Sequence, residues 1–116
     1  MSQYLFLIRS NPADFSGRSA EEMQQLIQRV GEWRKSLHDR IALGKKLMDG
    51  EGRVLRKNGA KPSVTDGPFV EAKEVMGGFF VIEAENYDQA TEVAKSCPLV
   101  DYGSIEIRAI QQLAGT

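Results

Sequence analysis

The strongest constraint on the fold is a pair of short apolar runs, Tyr4-Leu5-Phe6-Leu7-Ile8 and Phe79-Phe80-Val81-Ile82, each apolar at odd and even positions alike. Strand side chains alternate between the two faces of a sheet, so a strand that is apolar on both faces needs cover on both. Neither run is long enough to cross a bilayer. Both therefore read as buried strands, the second within a central strand over Met76–Glu83. The fold must sandwich the middle of a sheet between two layers.

The rest of the chain supplies only one of those layers. After the first strand, Asn11-Pro12 and Ser16-Gly17 mark about ten residues of loop. Ser19 starts a helix, with Glu22 placed to complete a capping box. Met23, Leu26, Ile27, Val30, Trp33, Leu37 and Ile41 recur at helical spacing, and Gly44 offers a positive-φ end, which makes a helix of about 24 residues. Lys45–Met48 reads as a short second strand, closed by Asp49-Gly50-Glu51-Gly52. Arg53–Lys57 and Ala60–Thr65 read as a hairpin about Asn58-Gly59, a sequence suited to a type I′ turn. Pro62 confines the returning arm to an edge, so the hairpin projects at the margin of the sheet. Asn86 caps a second helix, with Gln89 placed to reach back. Its stripe is Tyr87, Ala90, Val93, Ala94 and Cys97, and Pro98 stops it. A loop through Asp101-Tyr102-Gly103 leads to the last strand, Ser104–Ile110, with Ile105 and Ile107 on one face and Glu106 and Arg108 on the other.

The order strand, helix, strand, hairpin, strand, helix, strand is a ferredoxin-like α+β plan with an extra hairpin. Both helices then cover the same face of an antiparallel sheet. A second copy packed sheet to sheet would cover the other, and a homodimer is expected from that mismatch.

Bulk properties exclude several classes. The 116 residues suit one domain, spanning 1–116. Fifteen Lys and Arg against 16 Asp and Glu give a net charge of -1, which offers nothing to nucleic acid. The Met1 start shows no leader pattern and no span is expected, so a cytoplasmic protein without membrane partner is anticipated. One Cys and one His rule out an internal disulfide and leave no usual zinc set; no cofactor is expected.

Thr65-Asp66-Gly67-Pro68-Phe69-Val70-Glu71-Ala72-Lys73-Glu74, followed by Gly77-Gly78-Phe79, resembles the signature of the YCII-related, DGPF-domain family. Asp49-Gly50-Glu51-Gly52, Cys97-Pro98 and Ile105-Glu106-Ile107-Arg108 resemble further segments of that family, so the likeness runs from Tyr4 to Ile110. It implies a dimeric α/β barrel and small bacterial proteins, some encoded beside or fused to extracytoplasmic-function sigma factors. The YCII branch carries a histidine on the first helix and an aspartate in an Asp-Pro-Phe segment. Here Cys97-Pro98-Leu99 stands in place of the latter, and His38 lies nearer Gly44 than the family histidine. That pair is not carried over.

The candidate site residues surround the signature. Asp66, at a corner beside a cleft, is a candidate general base, or else it caps its own turn. Glu71, Lys73 and Glu74 either converge on a polar ligand or form a solvated charged connection. Arg9 and Arg108 can bind a carboxylate or phosphate, or Glu106 takes up Arg108. Trp33 fits packing, Cys97 lacks the setting of a nucleophile, and Gly77-Gly78 suits a bulge or close backbone approach. Two functions follow: an acid–base enzyme acting on a small polar metabolite in a dimer cleft, or a non-catalytic binding or accessory module linked to stress or sigma-factor regulation.

Overall fold

The computed structural model describes residues 1–11, 13–67 and 74–113. Four strands, β1 (Ser2–Ser10), β2 (Ile41–Lys46), β5 (Val75–Ala84) and β6 (Gly103–Ala109), form an antiparallel sheet in the order β2-β5-β1-β6. That is the ferredoxin-like α+β arrangement, with the two apolar runs on the central strands. The β3 (Arg53–Asn58) and β4 (Lys61–Asp66) hairpin makes a separate two-stranded sheet. Helices α1 (Ala13–Ser16), α2 (Ala20–Ser36) and α3 (Tyr87–Lys95) complete the set, with a 3-10 turn at Pro98–Tyr102.

Helices α2 and α3 cover one sheet face. Tyr4, Phe6 and Ile8 of β1 and Phe80, Ile82 and Ala84 of β5 are buried there with Trp33, Ala90, Val93, Ala94 and Cys97. Burying a side chain such as Phe6 is worth about 1.5–3 kcal/mol. Trp33 stands edge-on to Phe80 at 5.1 Å, and its indole N–H donates to Ser96 Oγ at 2.9 Å, so its one polar atom is satisfied. On the other face Leu5 lies opposite Val81 and Leu7 opposite Phe79 in the β1–β5 register, with Leu43 opposite Val81 on β2. No helix among the described residues covers that apolar strip.

The first long helix is shorter than its stripe suggests. It ends at Ser36, Leu37 caps it, and the Ile41 amide donates to the Leu37 carbonyl at 3.1 Å as the chain turns into β2. Ile41 is instead a strand residue opposite Ile82. The spacing of Leu37 and Ile41 suits a helix, but pairing with β5 outweighs it. Gly44 does not end the helix. It lies opposite Phe80 in β2, where a Cβ would come within 2.5 Å of the Phe80 ring. The second strand therefore begins at Ile41 rather than Lys45.

Smaller differences have local causes. The first loop contains α1, opened by Asn11 Oδ1 accepting from the Ala13 amide at 3.0 Å. The hairpin ladder runs to Asn58 opposite Lys61, so the turn is Gly59-Ala60. Only Gly59 of the two has positive φ, 68°, which excludes type I′ and suits a II′ turn with Gly first. Ser19 accepts from the Glu22 amide at 3.1 Å, but the Glu22 carboxylate turns to Arg18. Asn86 caps α3 as expected, whereas Gln89 Oε1 accepts from the Glu85 amide at 2.7 Å rather than from Asn86. The loop before the last strand is the 3-10 turn. The Gly pair behaves as anticipated: Ile8 faces Gly78 and Arg9 faces Met76, leaving Gly77 as a bulge. A Cβ on Gly78 would lie 2.9 Å from the Lys45 carbonyl oxygen.

Candidate functional site

A groove of about 520 Å³ opens between α2 and the ends of β1, β2 and β5. This falls in the range of small-molecule sites. Its walls are mostly apolar: Met23, Leu26 and Val30 from α2, Ile8 and Phe80 from the sheet, and Phe15 from α1. Topology explains why these residues meet. The helix crosses the sheet at Trp33, and its earlier turns run over the strand ends beside Gly78, whose lack of a Cβ admits the Lys45 backbone. Gly31 lines the groove from α2, and a Cβ there would meet nothing within 4 Å. Glycine inside a helix costs roughly 0.5–1 kcal/mol relative to Ala, and no packing contact accounts for it.

Polar groups collect on the β2 side. Arg34, Lys45, Lys46 and Asp49 all line the groove. The Arg34 guanidinium lies over the Phe80 ring, 5.6 Å from its centroid, a favourable cation–π position. Lys46 Nζ pairs with Asp49 Oδ1 at 3.0 Å and also donates to the Leu47 carbonyl at 3.0 Å. Arg34 follows Val30 and Ile27 at i+4 and i+7. An arginine at a stripe position was the one available sign of this site, and sequence reasoning passed over it as well as over Lys45, Lys46 and Asp49.

The residues anticipated from the sequence lie elsewhere. Arg9 on β1 pairs with Glu106 on β6 at 3.1 Å, the two side chains 36% and 44% exposed, and Arg108 approaches the other Glu106 oxygen at 4.0 Å. Exposed pairs of this kind are worth about 0–1 kcal/mol. Glu74 accepts from Ser104 Oγ at 2.8 Å, and Ser104 lies opposite Arg9 in the β1–β6 ladder. Arg9, Arg108 and Glu74 thus gather along one side of the sheet. Asp66 does not join them: it ends β4, exposed, opposite Arg53. Glu71 and Lys73, and the corner Asp66 was expected to cap, lie outside the described residues.

His38 sits in the turn after α2, its Nε2 2.8 Å from Asp39 Oδ1, with both side chains largely exposed. Cys97 is buried in the core, and burial pushes its thiol above the usual range, against a backbone hydrogen bond at Leu99 that lowers it. That setting suits packing rather than nucleophilic chemistry.

Fold and groove together define a small α+β protein with room for a small molecule between helix and sheet. The model of the YCII-related domain matches residues 2–114, and the chain belongs to that family, as the signature block implied. The uncharacterised protein R00369 of Rhizobium meliloti (strain 1021) is 34% identical over 59 residues, covering 49% of this chain and 48% of that protein. The chain thus spans about half the length of this curated relative. Among solved structures, 5-chloro-2-hydroxyhydroquinone dehydrochlorinase (TftG) from Burkholderia phenoliruptrix AC1100, in complex with 2,5-dihydroxybenzoquinone, matches with a TM-score of 0.55. It is 14% identical and covers 95% of this chain and 94% of that one. At that identity the likeness speaks to the fold alone.

Proposed function

We propose that this protein is an acid–base enzyme acting on a small molecule held in the groove beneath α2, and that it works as a homodimer joined through the open sheet face. The observation that carries this reading is the groove itself, apolar over most of its wall with Lys46 and Asp49 paired on its rim. A carboxylate beside an ammonium can take up a proton while the ammonium steadies the charge that develops. The TftG likeness is one of fold, and that protein, a dehydrochlorinase in complex with 2,5-dihydroxybenzoquinone, is an instance of the kind of activity proposed. Asp49 is the proposed proton acceptor. Asp66, the base anticipated from the sequence, is the competing assignment, with Arg9, Glu74, Arg108, Glu71 and Lys73 as its substrate-binding set.

A second reading, a binding module without chemistry, is favoured by one observation. The Asp49 and Lys46 side chains are 75% and 71% exposed, and water weakens the help such a pair gives to a developing charge.

A thermal-shift screen of small phenols, quinones and ring acids, run on wild type, Asp49→Asn and Asp66→Asn, tests both. A hit that wild type converts and Asp49→Asn binds but does not convert supports the enzyme. A hit bound and never converted by any of the three supports the binding module. Loss of turnover in Asp66→Asn alone returns the base to the hairpin.

A further inference from the structure

We infer that the ligand of this groove is an amphipathic anion, a compact apolar body ending in a carboxylate, with Arg34 as the partner of its charge. The inference rests on the groove being the site proposed above and names what enters it.

The charge balance of the groove points this way. Several cations of the chain have an acid close by: Arg9 with Glu106, Arg18 with Glu22, Arg29 with Asp101, Lys46 with Asp49. Among the described residues no acid pairs with Arg34, and the one acid lining the groove, Asp49, is taken up by Lys46. Unpaired surface cations are ordinary. Arg34 differs in standing where an apolar wall ends, so a molecule seated against Met23, Leu26 and Val30 would present its far end to it. A guanidinium offers a carboxylate two parallel N–H donors, and Arg34, itself exposed, presents them beside that wall.

Two glycines shape the same place. A Cβ on Gly44 would meet the Phe80 ring at 2.5 and 2.6 Å and Arg34 Nη2 at 3.4 Å. The absence of a side chain there leaves room for the ring that carries the guanidinium. Gly31, above, leaves open a volume that the protein's own packing does not use, at a cost in helix stability. A ligand body uses it.

Calorimetric titration with 1-naphthoate, its neutral amide 1-naphthamide, and inorganic phosphate tests the inference. Circular dichroism checks that each variant is folded. The expected result is naphthoate binding at least tenfold tighter than the amide and no comparable binding of phosphate, which lacks the apolar body. Arg34→Gln should weaken naphthoate about tenfold and leave the amide unchanged, with Arg34→Lys partly restoring binding. Gly31→Ala should raise the melting temperature of the free protein by roughly 2–4 °C, as the gain in helix propensity predicts, while weakening both ring ligands. Equal affinity for naphthoate and amide, or naphthoate binding indifferent to Arg34, overturns the anionic ligand and leaves the groove as a site. Binding of neither ring compound, or of phosphate alone, removes the site and the inference together.

Discussion

The two faces of the main sheet are built from alternate residues of the same strands, yet they meet different fates. On one, Phe6 and Ile82 are fully enclosed beneath α2 and α3. On the other, their neighbours Leu5, Leu7, Phe79 and Val81 are only half-buried, rimmed by the charged Arg9, Glu106 and Arg108. The first face is a finished core. The second is a core cut open, apolar in the centre and charged at the edge, which is the anatomy of an interface. In the proposed homodimer the second face would be covered as well, and the hydrophobicity of these strands would report on the assembly as well as on the chain.

Variants on the two faces should therefore fail differently. The largest effect is expected from Phe6→Ala, which leaves a cavity in the enclosed face and should cost about 3–5 kcal/mol in urea unfolding. Next comes Phe79→Glu on the open face. A buried carboxylate at a two-fold contact should raise the dimer dissociation constant at least a hundredfold by sedimentation, with the circular dichroism of the fold retained. A wild type already monomeric at micromolar concentration would sink the dimer. Cys97 gives a smaller, pH-dependent effect. Its thiol is held above its ordinary range in the folded chain, so the unfolded chain loses that proton first. The contribution is intact below the unfolded value, about 8.5, and is lost as pH rises through the folded one. Unfolding curves of wild type and Cys97→Ala should diverge in pH dependence only above that point, and native Cys97 should resist thiol reagents. The smallest effect belongs to Arg9→Met, which removes an exposed ion pair and should change monomer stability by no more than about 1 kcal/mol.

Legibility followed the range of the interactions. The strands at Tyr4–Ile8 and Phe79–Ile82 declared themselves because alternation is local, and Ser19 and Asn86 because a cap needs only three residues. The end of α2 did not. Leu37 and Ile41 fit a helix, and only the distant Ile82 makes Ile41 a strand residue. The hairpin was read correctly but its turn was displaced by one residue, since register depends on both arms. The groove was hardest: α2, β2 and β5 each contribute part of it, and its shape depends on a side chain that Gly31 lacks. Asp66 drew attention by its motif, whereas Arg34 and Asp49 acquire meaning only through their neighbours in space.

The strand order has a further consequence. In β2-β5-β1-β6, every strand from before the hairpin borders only strands from after it. The exposed tip at Gly59-Ala60, flanked by Arg56, Lys57 and Lys61, offers a protease an easy cut. Nicked there, the molecule would become two interdigitated fragments, neither able to form a ladder of the main sheet alone. Each would be the template for the other, so the nicked protein should hold together until it is denatured and should re-form when the fragments are mixed. For the intact chain the same interleaving means that no half of the main sheet can form early and wait. Closing it requires contacts between distant parts of the sequence, the slow kind of folding step.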